Sequence, residues 1–183
     1  MADGDVFDLV FICTANQFRS AVAEGFVAAL VDDLPVRVGS VGIRAEEGLP
    51  PVAGAVAEAG ELGVDISGHL SRPLSPALVE HADLVLGFEA IHVADAVIEK
   101  GAPRERTFTA LEFAELAERV EPPVLFDPVE RARRVVAFAD AARRRVPDRA
   151  HDFPDPLAGP ERDYPVVVEQ IRDLSERIVN ALF

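Results

Sequence analysis

The chain has 183 residues, one cysteine and a formal net charge of −14 at pH 7. That length supports one hydrophobic core of ordinary size, and the surplus of acid argues against nucleic acid and anionic membrane surfaces as partners. The single thiol excludes an internal disulfide framework and fits a reducing cytoplasm; the start MADGDVFDLV lacks the basic region of a signal peptide, and no apolar run approaches the roughly 20 residues needed to cross a bilayer.

In chain order, Val6 to Ile12 is an apolar run of strand length, and helical apolar spacing runs over 19–31. Between them stands Cys13-Thr14-Ala15-Asn16-Gln17-Phe18-Arg19, with Ser20 next. Short apolar stretches at 35–40, 83–87 and 105–108 read as further strands, and helices are predicted at 51–61, 75–81, 90–100, 110–120, 128–145 and 164–182. Alternating strands and helices predict an α/β fold, with a four-stranded parallel sheet covered on both faces in a three-layer sandwich. No Pro/Gly/Ser-rich linker or internal repeat divides 1–183, so one domain is expected. In such sheets ligands bind beyond the carboxyl ends of the strands, where the turn after Cys13 falls.

A turn from strand to helix aims backbone N–H groups at one point, and the helix start adds partial positive charge. That place suits a phosphate dianion and would hold Cys13 as a reactive thiolate. Arg19 supplies a planar fork of donors for two phosphate oxygens, and the hydroxyl of Ser20 can donate to the sulfur. The spacing of Cys13 and Arg19 alone is weak, because arginine makes up all but one of the 18 basic residues. A lone cysteine is commonly a small buried hydrophobe. Its position at the junction of strand and helix favours a nucleophile.

A cysteine, five residues, arginine and serine directly after the first strand resembles the low-molecular-weight protein tyrosine phosphatase family. Further segments extend the resemblance in the family's order. Ser40-Val41-Gly42-Ile43 is similar to its Ser-Ala-Gly segment, Gly48-Leu49-Pro50-Pro51 to the Gly-x-Pro lead into a helix, Gly63 to Arg72 to its Gly-Ile-Asp, Ser, His, Ser-Arg stretch, and Asp155-Pro156 to its Asp-Pro loop. These segments cover residues 1 to about 115 and 150 to 183, with extra material near 120–150. The resemblance implies a flavodoxin-like, doubly wound topology and a hydrolase acting on phosphotyrosine through a phosphocysteine, with no cofactor and no metal. Cys13 would be the nucleophile, Arg19 the phosphate clamp and Asp155 the general acid. Thr14, Ala15, Asn16, Gln17, Phe18 and Ser20 would line the phosphate, with Asn16, Ser40 and His69 supporting the loop. The substrate would be a phosphorylated protein, such as a bacterial tyrosine kinase of polysaccharide export. An arsenate reductase, a protein arginine phosphatase and a catalytically weak phosphate-binding module on the same scaffold are the alternatives.

Some positions depart from the family pattern. Ala15 stands where glycine is usual, and a positive φ there would cost about 1 kcal/mol or reshape the loop. Phe18 replaces a second loop cysteine, so an oxidised Cys13 has no internal thiol to resolve it. Leu157 and Ala158 follow Asp155-Pro156 where aromatics are usual, and the acidic Glu46 lies near the expected mouth. Arg131, Arg133, Arg134, Arg143, Arg144, Arg145 and Arg149, set against four acids from Asp127 to Asp148, suggest either a docking helix for an acidic segment or simply a solvated helical face. His81, His92 and His151 lack the spacing of a metal site and read as surface or loop residues.

Overall fold

Phe7–Cys13 forms the first strand, β1, and its side chains alternate between two cores. Phe7, Leu9, Phe11 and Cys13 face one core, while Val10 and Ile12 face the other. This period of two, apolar on both faces, is what a central strand requires. The computed structural model describes residues 6–119, 125–143 and 151–183.

After β1 come α1 (Arg19–Leu30), β2 (Val36–Gly42), α2 (Ala53–Glu61), α3 (Pro76–Val79), β3 (Leu84–Gly87), α4 (Ala90–Ala94), β4 (Thr107–Thr109), α5 (Ala110–Ala117), α6 (Pro128–Ala142) and α7 (Tyr164–Leu182). The four strands are parallel in the order β2-β1-β3-β4. Helices α1, α2, α5, α6 and α7 supply one core, while α3 and the segment after α4 supply the other, so the sheet is the middle of three layers. This is the expected doubly wound arrangement. Its switch point lies between β1 and β3, where the chain leaves the sheet on opposite faces, and in such folds ligands bind beyond the strand ends there. Cys13 ends β1 at that point.

The boundaries differ locally from the expectations. The strand expected at 105–108 is Thr107–Thr109, because Arg104–Arg106 closes a tight turn after Pro103. The helix expected over 90–100 is α-helical only to Ala94 and continues as a π turn, Asp95–Glu99. No described helix is long and apolar enough to cross a membrane.

Where it is described, the arginine-rich segment forms a helix with one buried face and one exposed face, the latter including Arg133 and Arg134. Asp127 caps α6 by accepting the N–H groups of Val129 and Glu130, with Pro128 in the first turn. One face of the helix buries Val129, Ala132, Val135, Val136 and Ala139. Arg133 pairs with Asp83 at 2.8 Å, and Arg143 lies 3.5 Å from the Phe108 ring centroid while donating to the carbonyls of Arg104 and Thr107. These two cations are structural. Arg144, Arg145, Asp148 and Arg149, with residues 120–124, lie outside the described residues.

Candidate active site

The turn between β1 and α1 is built around one residue. Asn16 has φ 57°, and among the described residues it is the one non-glycine with positive φ. Ala15 is not in that region, so its methyl carries none of the expected backbone cost. Asparagine tolerates the left-handed conformation, and here its polar groups fix it from several sides. Its Nδ2 donates to Ser20 Oγ at 2.9 Å and to Ser40 Oγ at 2.7 Å. Its Oδ1 accepts the Arg72 N–H at 2.8 Å, and its carbonyl oxygen lies 2.9 Å from His69 Nε2. Ser40 passes its own hydrogen to Glu24 at 2.5 Å. Gly42 lets β2 approach, since a Cβ there would lie 2.7 Å from the Thr14 oxygen and 2.9 Å from the Asn16 nitrogen. Asn16, Ser40 and His69 are thus joined in one hydrogen-bonded set, and Glu24, which the sequence did not single out, belongs to it.

The same loop surrounds the sulfur. The Asn16 backbone N–H donates to Cys13 Sγ at 3.2 Å, and Ser20 Oγ lies 3.0 Å from it. Because Ser20 Oγ already accepts from Asn16, its hydroxyl hydrogen is free to point at Sγ. Both contacts are ones that a sulfur acceptor can take.

Arg19, the first residue of α1, is 1% exposed. Its Nη1 donates to Glu89 Oε2 at 2.9 Å and to the Phe153 carbonyl at 3.0 Å. Its Nη2 lies 2.9 Å from Asp155 Oδ2 and 3.4 Å from Thr14 Oγ1. The guanidinium thus joins the loop after β1 to the segment carrying Asp155. That segment is held by a 2.7 Å bond from the Phe153 N–H to the Phe88 carbonyl and by edge-on stacking of the two rings at 5.5 Å. Asp155 also accepts the Leu157 N–H at 3.1 Å, a turn that its position before proline favours.

His92 is not on the surface. It is fully buried, and burial, reinforced by the Arg19 charge, lowers its pKa from the usual 6.5 to about 3. The imidazole is therefore neutral at pH 7. Its Nδ1 accepts the Glu89 N–H at 3.0 Å, so its hydrogen is on Nε2, which lies 3.1 Å from Thr14 Oγ1. The unfolded chain takes up a proton near pH 6.5 that the folded chain refuses until about pH 3. Stability from this group is therefore complete above pH 6.5 and lost on acidification, by about 2 kcal/mol at pH 5. Denaturant unfolding at pH 7 and pH 5 should show a loss smaller by about this amount in His92→Asn than in wild type.

The model of the family described as "Low molecular weight phosphotyrosine protein phosphatase" matches residues 8–136. The chain belongs to that family. The protein-arginine-phosphatase of Bacillus subtilis is 32% identical over 108 residues, which cover 58% of this chain and 71% of that one. An arsenate reductase of Bacillus licheniformis is 40% identical over 78 residues, and the chain spans about half of its length (53%). Among solved structures, a low molecular weight protein tyrosine phosphatase from T. tengcongensis superposes with a TM-score of 0.71 at 25% identity, covering 95% of this chain and 98% of that one.

Within this low molecular weight phosphatase, the departures from the family pattern have local explanations. Phe18 is 2% exposed and stacks edge-on against Tyr164 at 4.8 Å, so the position of the missing second cysteine has become core. Gln17 is partly exposed and ties the loop to the neighbouring segment: its Nε2 donates to the Pro50 carbonyl at 2.7 Å, and its own carbonyl accepts the Val52 N–H at 2.9 Å. Leu157 is 42% exposed beside Asp155. Glu46 is exposed too, and its carbonyl accepts a hydrogen bond from Ser71. Besides Glu24, Glu89 and His92 are site residues that reading the sequence missed. A Glu-x-x-His spacing just after a buried strand was the available signal, but their partners Thr14 and Arg19 lie in the distant turn after β1 and at the start of α1.

Proposed function

We propose that this protein is a metal-independent phosphatase that hydrolyses phosphotyrosine through a phosphocysteine at Cys13. The observation that carries this reading is the convergence at Arg19: one buried guanidinium meets the loop around Cys13 and the carboxylate of Asp155. In the reaction, the Sγ–P bond forms as the ester P–O bond breaks, and Asp155 gives its proton to the departing oxygen. The loop N–H groups and Arg19 hold the equatorial oxygens as charge spreads over them. Water then attacks phosphorus and passes a proton to Asp155, so inorganic phosphate leaves and the thiolate returns. The substrate is a phosphorylated protein of the bacterial cytoplasm, such as a tyrosine kinase.

A second reading, hydrolysis of phosphoarginine, has support from the arginine phosphatase relative and from Gln17. The Gln17 side-chain nitrogen Nε2 is committed to Pro50, which leaves the side-chain oxygen Oε1 as an acceptor. A guanidinium offers donors to such an atom and a phenol ring does not. Arsenate reduction is disfavoured, since passing oxidation between thiols requires cysteines that this chain lacks. A non-catalytic phosphate reader is disfavoured by the unstrained Ala15 and well-packed Phe18.

Hydrolysis of p-nitrophenyl phosphate in the presence of a metal chelator tests the reading. The wild type should turn over, and Asp155→Ala should lower kcat by about 100-fold or more. Phosphate binding without turnover in the wild type would leave only the reader. Side-by-side turnover of phosphotyrosine and phosphoarginine peptides decides between the two substrates.

A further inference from the structure

The geometry points to His92 as a positioning residue that orients Arg19 from both sides and turns the Thr14 hydroxyl into a donor for the phosphoryl group. The inference rests on the phosphatase reading of the same site and goes beyond it by assigning work to a residue that touches no substrate. On one side, His92 and Glu89 form a reciprocal cap at the start of α4. His92 Nδ1 accepts the Glu89 N–H, and the Glu89 side chain accepts the His92 N–H. That cap fixes the carboxylate that receives Arg19 Nη1. On the other side, His92 Nε2 lies 3.1 Å from Thr14 Oγ1, which also receives Arg19 Nη2 at 3.4 Å. Glu89 Oε2, at 3.5 Å, is the more distant acceptor for the same Nε2.

The consequence follows from counting lone pairs. A threonine oxygen has two, and here His92 and Arg19 take both. The hydroxyl hydrogen of Thr14 is therefore left to be given away, in the loop that begins at Cys13 and beside the guanidinium nitrogen that would grip an equatorial oxygen. Such a donor gains strength as negative charge spreads over the phosphoryl oxygens, so it acts more on kcat than on KM. An imidazolium could not accept the Glu89 N–H, which ties the arrangement to a neutral ring. The backbone makes room for it: a Cβ on Gly87, the last residue of β3, would lie 2.9 Å from the Cβ of His92.

A double-mutant cycle in the full chain tests this. His92→Asn keeps an acceptor for the Glu89 N–H but is too short to reach Thr14, and Thr14→Val removes the hydroxyl at constant shape. Each should lower kcat for p-nitrophenyl phosphate about 10-fold with KM within about 2-fold, and the double variant should also lose about 10-fold rather than about 100-fold. Thr14→Ser should restore most of kcat. Additive losses, or a Thr14→Val enzyme with wild-type kcat, would overturn the proposal while leaving the phosphatase intact. Should His92→Asn fail to fold, the contrast between Thr14→Val and Thr14→Ser carries the decision. If the wild type turns nothing over, the phosphatase reading is gone, and the same cycle read through the affinity for inorganic vanadate decides the role of His92: coupled losses support it and additive ones overturn it.

Discussion

Replacing Cys13 by serine should abolish turnover of p-nitrophenyl phosphate, by about 10⁵-fold or more, while inorganic phosphate still binds within a few-fold of the wild-type affinity. The two outcomes separate because the sulfur and the cage do different work. The Asn16 N–H donates to the sulfur and Ser20 Oγ lies 3.0 Å from it, and no carboxylate or imidazole among the described residues is bonded to Sγ as a base. A thiol needs no such base at neutral pH once its thiolate is stabilised, but a serine hydroxyl does. The N–H groups and the Arg19 guanidinium that would hold the anion remain in the variant. Stopped assays and calorimetric titration with phosphate measure both quantities. Residual turnover above about 1% of wild type would move the nucleophile elsewhere.

Arg19→Lys should be the other severe change, with kcat down about 10³-fold or more and stability down by about 2 kcal/mol. The charge is conserved and the geometry is not. Arg19 serves Glu89, the Phe153 carbonyl, Thr14 and Asp155 with two nitrogens of one plane, while 1% exposed. A lysine places one ammonium where that plane was, so it can satisfy part of the set and cannot grip two phosphate oxygens in parallel. The unserved carboxylate or carbonyl is then left partly buried without its donor, which is where the stability is lost. Turnover of an aryl phosphate together with a denaturant midpoint checks both effects. A lysine variant within about 10-fold of wild-type kcat would show that Arg19 is chiefly structural.

The nucleophile's position was legible because it is local. The apolar run ending at Cys13, the helical spacing from position 19 and the arginine that begins it meet across one short turn of chain. Asp155 was legible only through family resemblance, since nothing in an Asp-Pro pair says that it returns to a loop at the other end of the sequence. The backbone cost assigned to Ala15 was misplaced by one residue. The positive φ belongs to Asn16, whose side chain makes three hydrogen bonds and whose carbonyl makes a fourth contact, to His69 Nε2; the tolerance of asparagine for that region was the local signal that pointed there rather than to Ala15. His92 was misread for a different reason. A lone histidine has no pattern of its own, and its meaning depends on β1 and β3 pairing with Ile12 opposite Gly87, which brings Thr14 to the start of α4. The arginines of α6 posed the same difficulty, because Asp83 and Phe108, which hold two of them, are tertiary neighbours.

The contact between Asp155 and Arg19 also bears on how the catalytic cycle closes. An oxyanion entering the loop competes with a carboxylate already seated on Nη2, so a doubly charged phosphate is better equipped to take that seat than a singly charged anion such as chloride or acetate. Once displaced, the carboxylate is beside the space where a leaving group would sit. After hydrolysis Asp155 would carry the proton taken from water, and only on giving that proton up would it return to the guanidinium and compete with inorganic phosphate for Nη2. One aspartate would thereby act as gatekeeper on the way in and as bailiff on the way out, a role that would work against product inhibition.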